Sequence, residues 1–330
     1  MKISVLGSGG WGIALAMAAE RNGHNVVLWS LFEKEVEELL SCRESKKLLA
    51  GVKIPENILI TNNLSDADGS EIVIIAVPSV AVRETAKRIN SIKNVGIVVN
   101  VSKGLEAGSL KRLSQVIAEE VENPVVILSG PSHAEEVARC VPTSLVSASS
   151  DFNAAQRVNE AFSNEYLRIY TNDDMVGAEL GGALKNVIAV ASGFCDGMGL
   201  GDNTRAALIT RGLTEIARLG VILGAKERTF AGLTGLGDLI VTCTSRHSRN
   251  HRFGEMVGKG VPVETALKEV GTVEGYYATK LAFELAKKSG AEMPIISQCY
   301  KVLYENSDVR NSVKALMLRP RKDEHENLWL

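Results

Sequence analysis

The sequence predicts an α/β protein: an N-terminal doubly wound, mostly parallel sheet followed by an all-helical C-terminal domain. Six short apolar segments in the first half of the chain alternate with amphipathic segments, which is the pattern of a parallel sheet covered by helices. From about residue 174 onward, strand patterns nearly vanish. The 330 residues are enough for two cores, and we expect the sheet domain to span 1–179 and the helical domain 180–330.

The expected elements follow the hydrophobic periodicity. The predicted strands of the parallel sheet are 3–6, 24–29, 58–60, 71–77, 95–101 and 124–128, with 143–149 and 167–170 as extra edge strands. The predicted helices are 13–23, 31–49, 81–92 and 111–121 in the first half, then 175–194, 204–223, 263–270, 275–289 and 295–304.

A glycine-rich stretch, MKISVLGSGGWG, joins the first strand to the first helix. Gly7, Gly9 and Gly12 form G-x-G-x-x-G in the strand-to-helix setting that characterises Rossmann-type dinucleotide sites. The first glycine permits a tight turn, the second lets the backbone approach a pyrophosphate, and the third brings helix against strand. A dinucleotide is the expected ligand; the competing interpretation is a glycine turn without a ligand.

The second strand does not end in the acidic residue that would hold an adenosine ribose. Trp29, Ser30 and Leu31 stand there, and Glu33 is the first carboxylate. The sequence therefore leaves the choice between NAD and NADP open.

Composition narrows the class of protein. A formal net charge of −2 provides no basic field for nucleic acid. The chain contains no apolar stretch of roughly 18 residues, so neither membrane insertion nor secretion is expected. Its five cysteines are odd in number and scattered, which favours neither a disulfide framework nor a zinc site. We expect a cytoplasmic protein.

One lysine stands out in the predicted helical domain. Lys185 is the only cation between Met175 and Thr204, and it follows Gly181 and Gly182, which permit close approach of another backbone. Desolvation lowers a lysine pKa toward the range useful for proton transfer, so Lys185 is a candidate general acid or base. The alternative is a lysine whose stem lies on the helix while its ammonium group reaches water.

Polar residues follow two consecutive strands of the predicted sheet. Lys103 comes after strand 95–101, and Gly130 and Ser132 come after strand 124–128, at the edge where open α/β folds bind ligands. His133 is either a proton carrier or a turn residue. Ordinary polar turns are the alternative for both segments.

A further cluster lies in the second half of the chain. Asp238 follows three glycines, and Ser248, Arg249 and Asn250 stand at a predicted helix start, where a guanidinium and free amides suit a phosphate. A solvated basic turn is the alternative. His247 and His251 stand four residues apart and Cys243 precedes them, but we reject a metal site there, because Ser248 is expected to cap and interrupt the helix that this histidine pair would need.

The motifs taken together resemble those of bacterial NAD(P)-dependent glycerol-3-phosphate dehydrogenases, nearly from end to end. The matching stretches, in the family's order, are GSGGWGIALA, AVPS, SKGLE, SGPSHAEEV, ELGGALKNVIA, GDNTRAALITRGLTE, TFAGLTGLGDLIVTC, SRHSRNHRFG and TVEGYYATK. The resemblance implies reversible hydride transfer between NADPH or NADH and the glycerol 3-phosphate/dihydroxyacetone phosphate pair, feeding phospholipid synthesis.

The resemblance also implies roles for individual residues. Lys185 matches the family's proton acceptor, with Lys103 and Asp238 as further catalytic residues. The positions that match substrate contacts are Lys103, Gly130, Ser132, Lys185, Asp238, Ser248, Arg249 and Asn250. The positions expected to bind the cofactor are Gly7, Gly9, Gly10, Trp11, Gly12, Ser30, Lys103, Ala134, Arg249, Val273 and Glu274. The basic residue that the family often has just past the second strand is replaced here by Ser30 and Leu31.

Two other functions are compatible with the sequence. The same domain plan suits another β-hydroxyacid or phosphosugar dehydrogenase, because fold does not determine substrate. A nucleotide-binding redox sensor without catalysis is the other. The expected partners are a small phosphorylated substrate and a second copy of the chain in a homodimer, with no nucleic acid and no membrane insertion.

Overall fold

A single eight-stranded sheet forms the centre of the first half of the chain. The computed structural model describes residues 1–245, 248–321 and 323–324. The chain forms two compact units, Met1–Met175 and Val176–Leu330. The sheet belongs to the first unit and helices make up the second, so the predicted fold class is confirmed.

The strands are short and largely buried. They are β1 (Lys2–Leu6), β2 (Asn25–Trp29), β3 (Leu59–Thr61), β4 (Ile72–Ile75), β5 (Ile97–Asn100), β6 (Val125–Ser129), β7 (Thr143–Ala148) and β8 (Leu167–Asn172). Their order is β3-β2-β1-β4-β5-β6-β7-β8, and β1 to β6 run parallel. The chain order reverses between β1 and β4, which opens a crevice at their carboxyl ends, the usual ligand position in such folds.

Helices cover both faces of this sheet. They are α1 (Gly10–Arg21), α2 (Glu33–Cys42), α3 (Val82–Ile89), α4 (Leu113–Ala118), α5 (Ala134–Ala138) and α6 (Phe152–Phe162). Strand residues alternate between two apolar cores: Ile72 and Ile74 belong to one cluster, Val73 and Ile75 to the other. Because alternate residues of each strand face opposite sides of the sheet and both sides are covered by an apolar core, most strand positions are apolar and the strands appear in the sequence as continuous apolar runs.

The two predicted edge strands are present, and they extend the sheet in a way that periodicity does not reveal. β7 pairs antiparallel with β6, whereas β8 pairs parallel with β7. The predicted helix over 31–49 is too long, because the chain leaves α2 at Arg43, which adopts a left-handed conformation with φ 49°. The Arg43 guanidinium donates to the carbonyl oxygen of Ile58 at 2.9 Å, a tertiary contact that stabilises this early end.

The second unit is built from helices. They are α7 (Met175–Gly197), α8 (Asp202–Ile222), α9 (Glu227–Phe230), α10 (Asp238–Thr244), α11 (Arg249–Gly258), α12 (Val263–Val270), α13 (Glu274–Ser289), α14 (Pro294–Tyr304) and α15 (Val309–Met317). A π-helical turn, Leu233–Gly237, precedes α10. The sequence did not predict α9, α10 or α15. Within the described part of the chain, no helix is long and apolar enough to cross a membrane.

Glycines bring α7 and α11 into backbone contact. A Cβ added to Gly193 would lie 2.1 Å from the carbonyl oxygen of His251, and one added to Gly254 would lie 2.1 Å from that of Val190. Neither contact is possible for a real side chain, so the close crossing depends on the missing Cβ atoms. The crossing fixes the position of α11 against α7.

Candidate active site

The loop between β1 and α1 has the geometry of an anion-binding turn. Gly7 has φ +126°, and a Cβ there would lie 2.3 Å from the carbonyl oxygen of Ala76. A Cβ on Gly12 would lie 2.0 Å from the Gly7 carbonyl oxygen, whereas one on Gly9 would meet nothing within 4 Å. Helix α1 begins at Gly10 without a side-chain cap or an acidic residue in its first turn. These features fit a pyrophosphate at the helix N-terminus.

Other predicted cofactor residues lie near this loop. Trp11 packs partly buried against the sheet core. A Cβ on Gly10 would lie 3.7 Å from the Cβ of Ala134, so the first residue of α5 adjoins the first residue of α1. Ser30 is 3% exposed, and its hydroxyl donates to Glu35 Oε2 at 2.6 Å. The motifs of the sequence do not predict Glu35 at this position.

The ends of β5 and β6 bring three predicted substrate residues together. The Lys103 ammonium donates to the carbonyl oxygen of Gly130 at 3.1 Å and lies 3.4 Å from Ser132 Oγ. Ser132 Oγ also donates to the Gly130 carbonyl oxygen at 3.0 Å. Gly130 adopts φ +138°, a conformation that favours glycine. This edge therefore presents a cation and a hydroxyl side by side.

Lys185 lies in a buried polar cluster of the second unit. It is 6% exposed, and its ammonium donates to Oδ1 of the fully buried Asp238 and, at 2.6 Å, to Thr242 Oγ1. The Thr242 hydroxyl in turn donates to the Asp238 carbonyl oxygen at 2.7 Å. Lys185 is therefore buried, as the desolvated lysine of the prediction requires. The alternative, a lysine whose ammonium group reaches water, is wrong. The ion pair compensates a charge that burial would otherwise make costly.

A glycine explains how α7 reaches this cluster. A Cβ on Gly181 would lie 2.3 Å from the Thr234 carbonyl oxygen, in the turn that leads into α10. The predicted close approach of another backbone at this glycine is confirmed. It places Lys185, one helical turn further along α7, beside the start of α10.

A network of amide side chains joins α7, α11 and α13. Asn250 Nδ2 donates to Asn186 Oδ1 at 2.9 Å, and Asn250 Oδ1 accepts from the Gly275 amide at 2.9 Å. Asn186 Nδ2 donates to Glu274 Oε2 at 3.3 Å. Val273, which precedes Glu274, is fully buried. The network locks together the starts of α11 and α13, where several predicted site residues lie.

The start of α11 has the predicted cap. Ser248 Oγ accepts from the His251 amide at 3.2 Å, and α11 begins at Arg249. Arg249 is exposed, and no ion pair to it is present within the described ranges. The first-turn amides and this guanidinium together form a surface suited to a phosphate.

Two residues of these clusters were missed by sequence reasoning, Thr242 and Asn186. Thr242 stands four residues after Asp238, the spacing that puts two side chains on one helix face. Recognising α10 as a helix would have revealed it. Asn186 follows Lys185 directly, and only the packing of α11 against α7 gives it a partner.

His251 contacts other side chains of the second unit. His251 Nε2 lies 2.8 Å from Asp196 Oδ2, and Arg205 contacts the same carboxylate at 3.0 Å. His247 lies outside the described residues. Across those that are described, no group of three metal-ligating side chains occurs.

A second buried carboxylate belongs to α8. Glu215 is 3% exposed and lines a cavity of about 470 Å³ together with Cys195 and Cys299. Burial raises the pKa of Glu215 to about 7, although hydrogen bonds from the Ile295 and Ile296 amides lower it. Burial likewise raises the pKa of Cys195 to about 11, so this thiol stays protonated at neutral pH.

Comparisons with known proteins agree with this geometry. The family model described as NAD-dependent glycerol-3-phosphate dehydrogenase N-terminus matches residues 2–155, and the model for the C-terminus of the same enzyme matches residues 174–314. The chain is 52% identical over 327 residues to glycerol-3-phosphate dehydrogenase [NAD(P)+] of Thermoanaerobacter sp. (strain X514), covering 98% of this chain and 99% of that one.

Two further proteins extend the similarity. Glycerol-3-phosphate dehydrogenase [NAD(P)+] of Fusobacterium nucleatum is 50% identical over 328 residues, with 98% of both chains covered. The crystal structure of glycerol-3-phosphate dehydrogenase from Coxiella burnetii superposes with a TM-score of 0.92 at 39% identity, covering 96% of this chain and 99% of that one.

Proposed function

Because this chain belongs to the NAD-dependent glycerol-3-phosphate dehydrogenase family, we propose a role in its reaction for groups in each of the two units. The enzyme interconverts sn-glycerol 3-phosphate and dihydroxyacetone phosphate with NAD(P)+/NAD(P)H, the usual source of glycerol 3-phosphate for phospholipid synthesis. Relatives of about 50% identity carry this name, which favours it over another phosphosugar dehydrogenase or a redox sensor.

The glycine loop is the proposed pyrophosphate site. Its support is the open space at Gly9, the φ of Gly7 and the uncapped start of α1. A dinucleotide held by this loop would supply the hydride carrier for the interconversion of glycerol 3-phosphate and the ketone at C2. Gly10, Trp11, Gly12, Ser30 and Ala134, in or beside the loop, are further proposed cofactor contacts. Val273 and Glu274, at the start of α13, are proposed cofactor contacts as well.

Lys185 is the proposed proton carrier. Its amine takes the C2 hydroxyl proton during oxidation, and the ammonium returns that proton to the C2 oxygen during reduction. The observation that carries this role is the buried contact of its Nζ with Asp238 and Thr242. Two acceptors on one nitrogen restrict its position, and a positioned acid or base is what proton transfer requires.

The start of α11 is the proposed phosphate site. Arg249 supplies a planar cation, the helix N-terminus supplies amides, and Ser248 caps the turn. Both polar atoms of the Asn250 side chain have protein partners, so its proposed role includes holding α11 against α13. A phosphate held at this site would restrict the position of C2, which proton transfer at C2 requires.

Lys103 is proposed to stabilise negative charge on the substrate oxygen. Its contacts with Gly130 and Ser132 hold the ammonium at the carboxyl edge of the sheet. A preorganised cation at a developing oxyanion is a large contribution to catalysis in a water-poor site.

We also propose a cytoplasmic homodimer. The five cysteines are free, which fits a reducing compartment, and twofold dimers are the commonest assemblies among soluble homo-oligomers. Sedimentation velocity should give twice the mass of one chain; a species of single-chain mass at micromolar concentration would contradict the dimer.

The test compares two variants in one assay that follows NADH oxidation by dihydroxyacetone phosphate. Lys185→Ala should lower kcat by at least about a hundredfold, since general acid catalysis contributes on that order. Its affinity for NADH, measured by fluorescence titration, should stay within about twofold of the wild-type value. Arg249→Ala should raise KM for the ketone by about tenfold or more through loss of a charged hydrogen bond.

The two outcomes separate the roles. A near wild-type kcat in Lys185→Ala would refute the proton carrier, and an unchanged KM in Arg249→Ala would refute the phosphate site. No turnover by the wild-type chain with normal NADH binding would favour the redox sensor.

A further inference from the structure

The structure supplies an acidic residue at the end of β2 that the sequence does not place there. We propose that Glu35, carried by α2, makes this enzyme prefer NAD(H) over NADP(H). The inference deepens the proposed function, on which it rests, by naming the residue that selects the coenzyme.

Two serines hold the Glu35 carboxylate. The Ser8 hydroxyl, from the middle of the glycine loop, donates to Oε2 at 2.7 Å, and the Ser30 hydroxyl, directly after β2, donates to the same oxygen at 2.6 Å. Both serines are buried, with 8% and 3% of their surface exposed. The carboxylate is therefore fixed against the junction of the glycine loop and the second strand.

Hydrogen bonds to the end of β3 fix the position of Ser30. The Ser30 amide donates to the Thr61 carbonyl oxygen at 3.0 Å, and the Trp29 indole donates to the Asn62 carbonyl oxygen at 3.0 Å. The end of β2 is thus tied to the end of β3. Glu35 therefore contacts a serine that β3 holds in place, although the Glu35 side chain itself is exposed to solvent.

This junction is where doubly wound folds bind the adenosine ribose of a dinucleotide. Both serine hydroxyls use Oε2, and across the described ranges no donor contacts Glu35 Oε1. Oε1 is thus available to accept from a ribose 2′-hydroxyl. A 2′-phosphate would instead bring close to two negative charges against the carboxylate, with repulsion in place of a hydrogen bond.

The neighbouring chain provides little to offset that repulsion. Leu31 and Phe32, which join Ser30 to α2, are apolar and more than half exposed. Lys34 is the nearest cation in sequence, and adjacent residues of a helix do not face each other. Between Ser30 and the first turn of α2, Glu35 is therefore the charged side chain that contacts this junction.

The test measures binding as well as turnover. Dissociation constants for NADH and NADPH are determined by nucleotide fluorescence titration, and kcat/KM for both is measured with dihydroxyacetone phosphate. Wild-type enzyme should bind NADH about tenfold more tightly than NADPH at low salt. Glu35→Gln removes the charge and should reduce that ratio to within about threefold. In the wild type, added salt should lower the ratio because it screens repulsion between exposed charges.

Glu33→Gln is the matched control. It makes the same charge change in the same first turn of α2, and within the described chain Glu33 does not contact Ser8 or Ser30. Its NADH/NADPH ratio should stay within about twofold of wild type, because an exposed carboxylate that makes no contact at this junction interacts only weakly through water.

Equal affinity of the wild type for both coenzymes would overturn the inference, as would an unchanged ratio in Glu35→Gln or an equal change in Glu33→Gln. Failure of the dehydrogenase assignment is distinguishable, because the binding ratio is measured without substrate. A chain that discriminates the coenzymes through Glu35 but does not reduce the ketone would retain the inference and refute the activity.

Discussion

Replacing the buried Glu215 of α8 with glutamine should change how the stability of this enzyme depends on pH. The Glu215 carboxylate accepts from the Ile295 amide at 2.7 Å and from the Ile296 amide at 3.2 Å, in the first turn of α14. Burial raises its pKa from 4.5 to about 7, and the two amide bonds only partly oppose this. Glutamine has nearly the same shape and keeps an acceptor, but it does not ionise.

The sign follows from proton linkage. Between pH 4.5 and about 7 the folded protein holds a proton on Glu215 that the unfolded chain releases. The contribution of the protonated Glu215 side chain to the free energy of unfolding is therefore complete below pH 4.5 and is lost as the pH rises through about 7. At about 1.4 kcal/mol for each pH unit, the loss is on the order of 3 kcal/mol.

Urea unfolding of both proteins at pH 5, 6, 7 and 8 measures this contribution. The unfolding free energy of the wild type should fall relative to that of Glu215→Gln by about 3 kcal/mol across the series. Other carboxylates titrate equally in the two proteins, so the difference isolates Glu215. A difference that stays constant from pH 5 to 8 would refute the reasoning.

Two further changes test how the second unit holds its polar clusters. Asp238→Asn should lower the unfolding free energy by about 3 kcal/mol, because it leaves the buried Lys185 ammonium without a countercharge; unchanged urea midpoints would contradict this. Gly254→Ala places a Cβ 2.1 Å from the Val190 carbonyl oxygen, so it should displace α11 and raise KM for dihydroxyacetone phosphate by about tenfold. Gly201→Ala, where a Cβ meets nothing within 4 Å, is its control and should leave KM unchanged. Equal KM values in the two glycine variants would show that the close packing of α7 against α11 does not position the phosphate site.

Local patterns predicted much of the fold. The strand positions of the parallel sheet came from short apolar runs, because burial on both faces leaves a continuous signal. Element ends were less accurate: α2 ends at Cys42 rather than at residue 49, since Arg43 finds tertiary partners at Pro55 and Ile58. The short helices α9 and α10 escaped prediction because four to seven residues carry too little periodicity.

The residues of the candidate site were likewise predicted only in part. Residue type and sequence context predicted Lys185, Asp238 and the Ser248–Asn250 segment, but not Thr242 and Asn186. Their contacts join residues more than 50 positions apart, as in Lys185 with Thr242 and Asn186 with Asn250. Pairing over such separations is decided by helix packing, which residue spacing does not encode.

The glycine loop and the strand–helix alternation were determined by the sequence alone, because turn conformation and strand burial depend on residues adjacent in the chain. Only the tertiary structure decided that β7 runs antiparallel to β6, that glycines let α7 and α11 touch, and that Glu35 lies against Ser8 and Ser30. The acidic residue expected after β2 shows this difference most clearly. The sequence has Ser30 at that position, but the first turn of α2 brings the carboxylate of Glu35, five residues later, into contact with Ser30. Local conformation follows from neighbouring residues; the meeting of separate elements follows from packing.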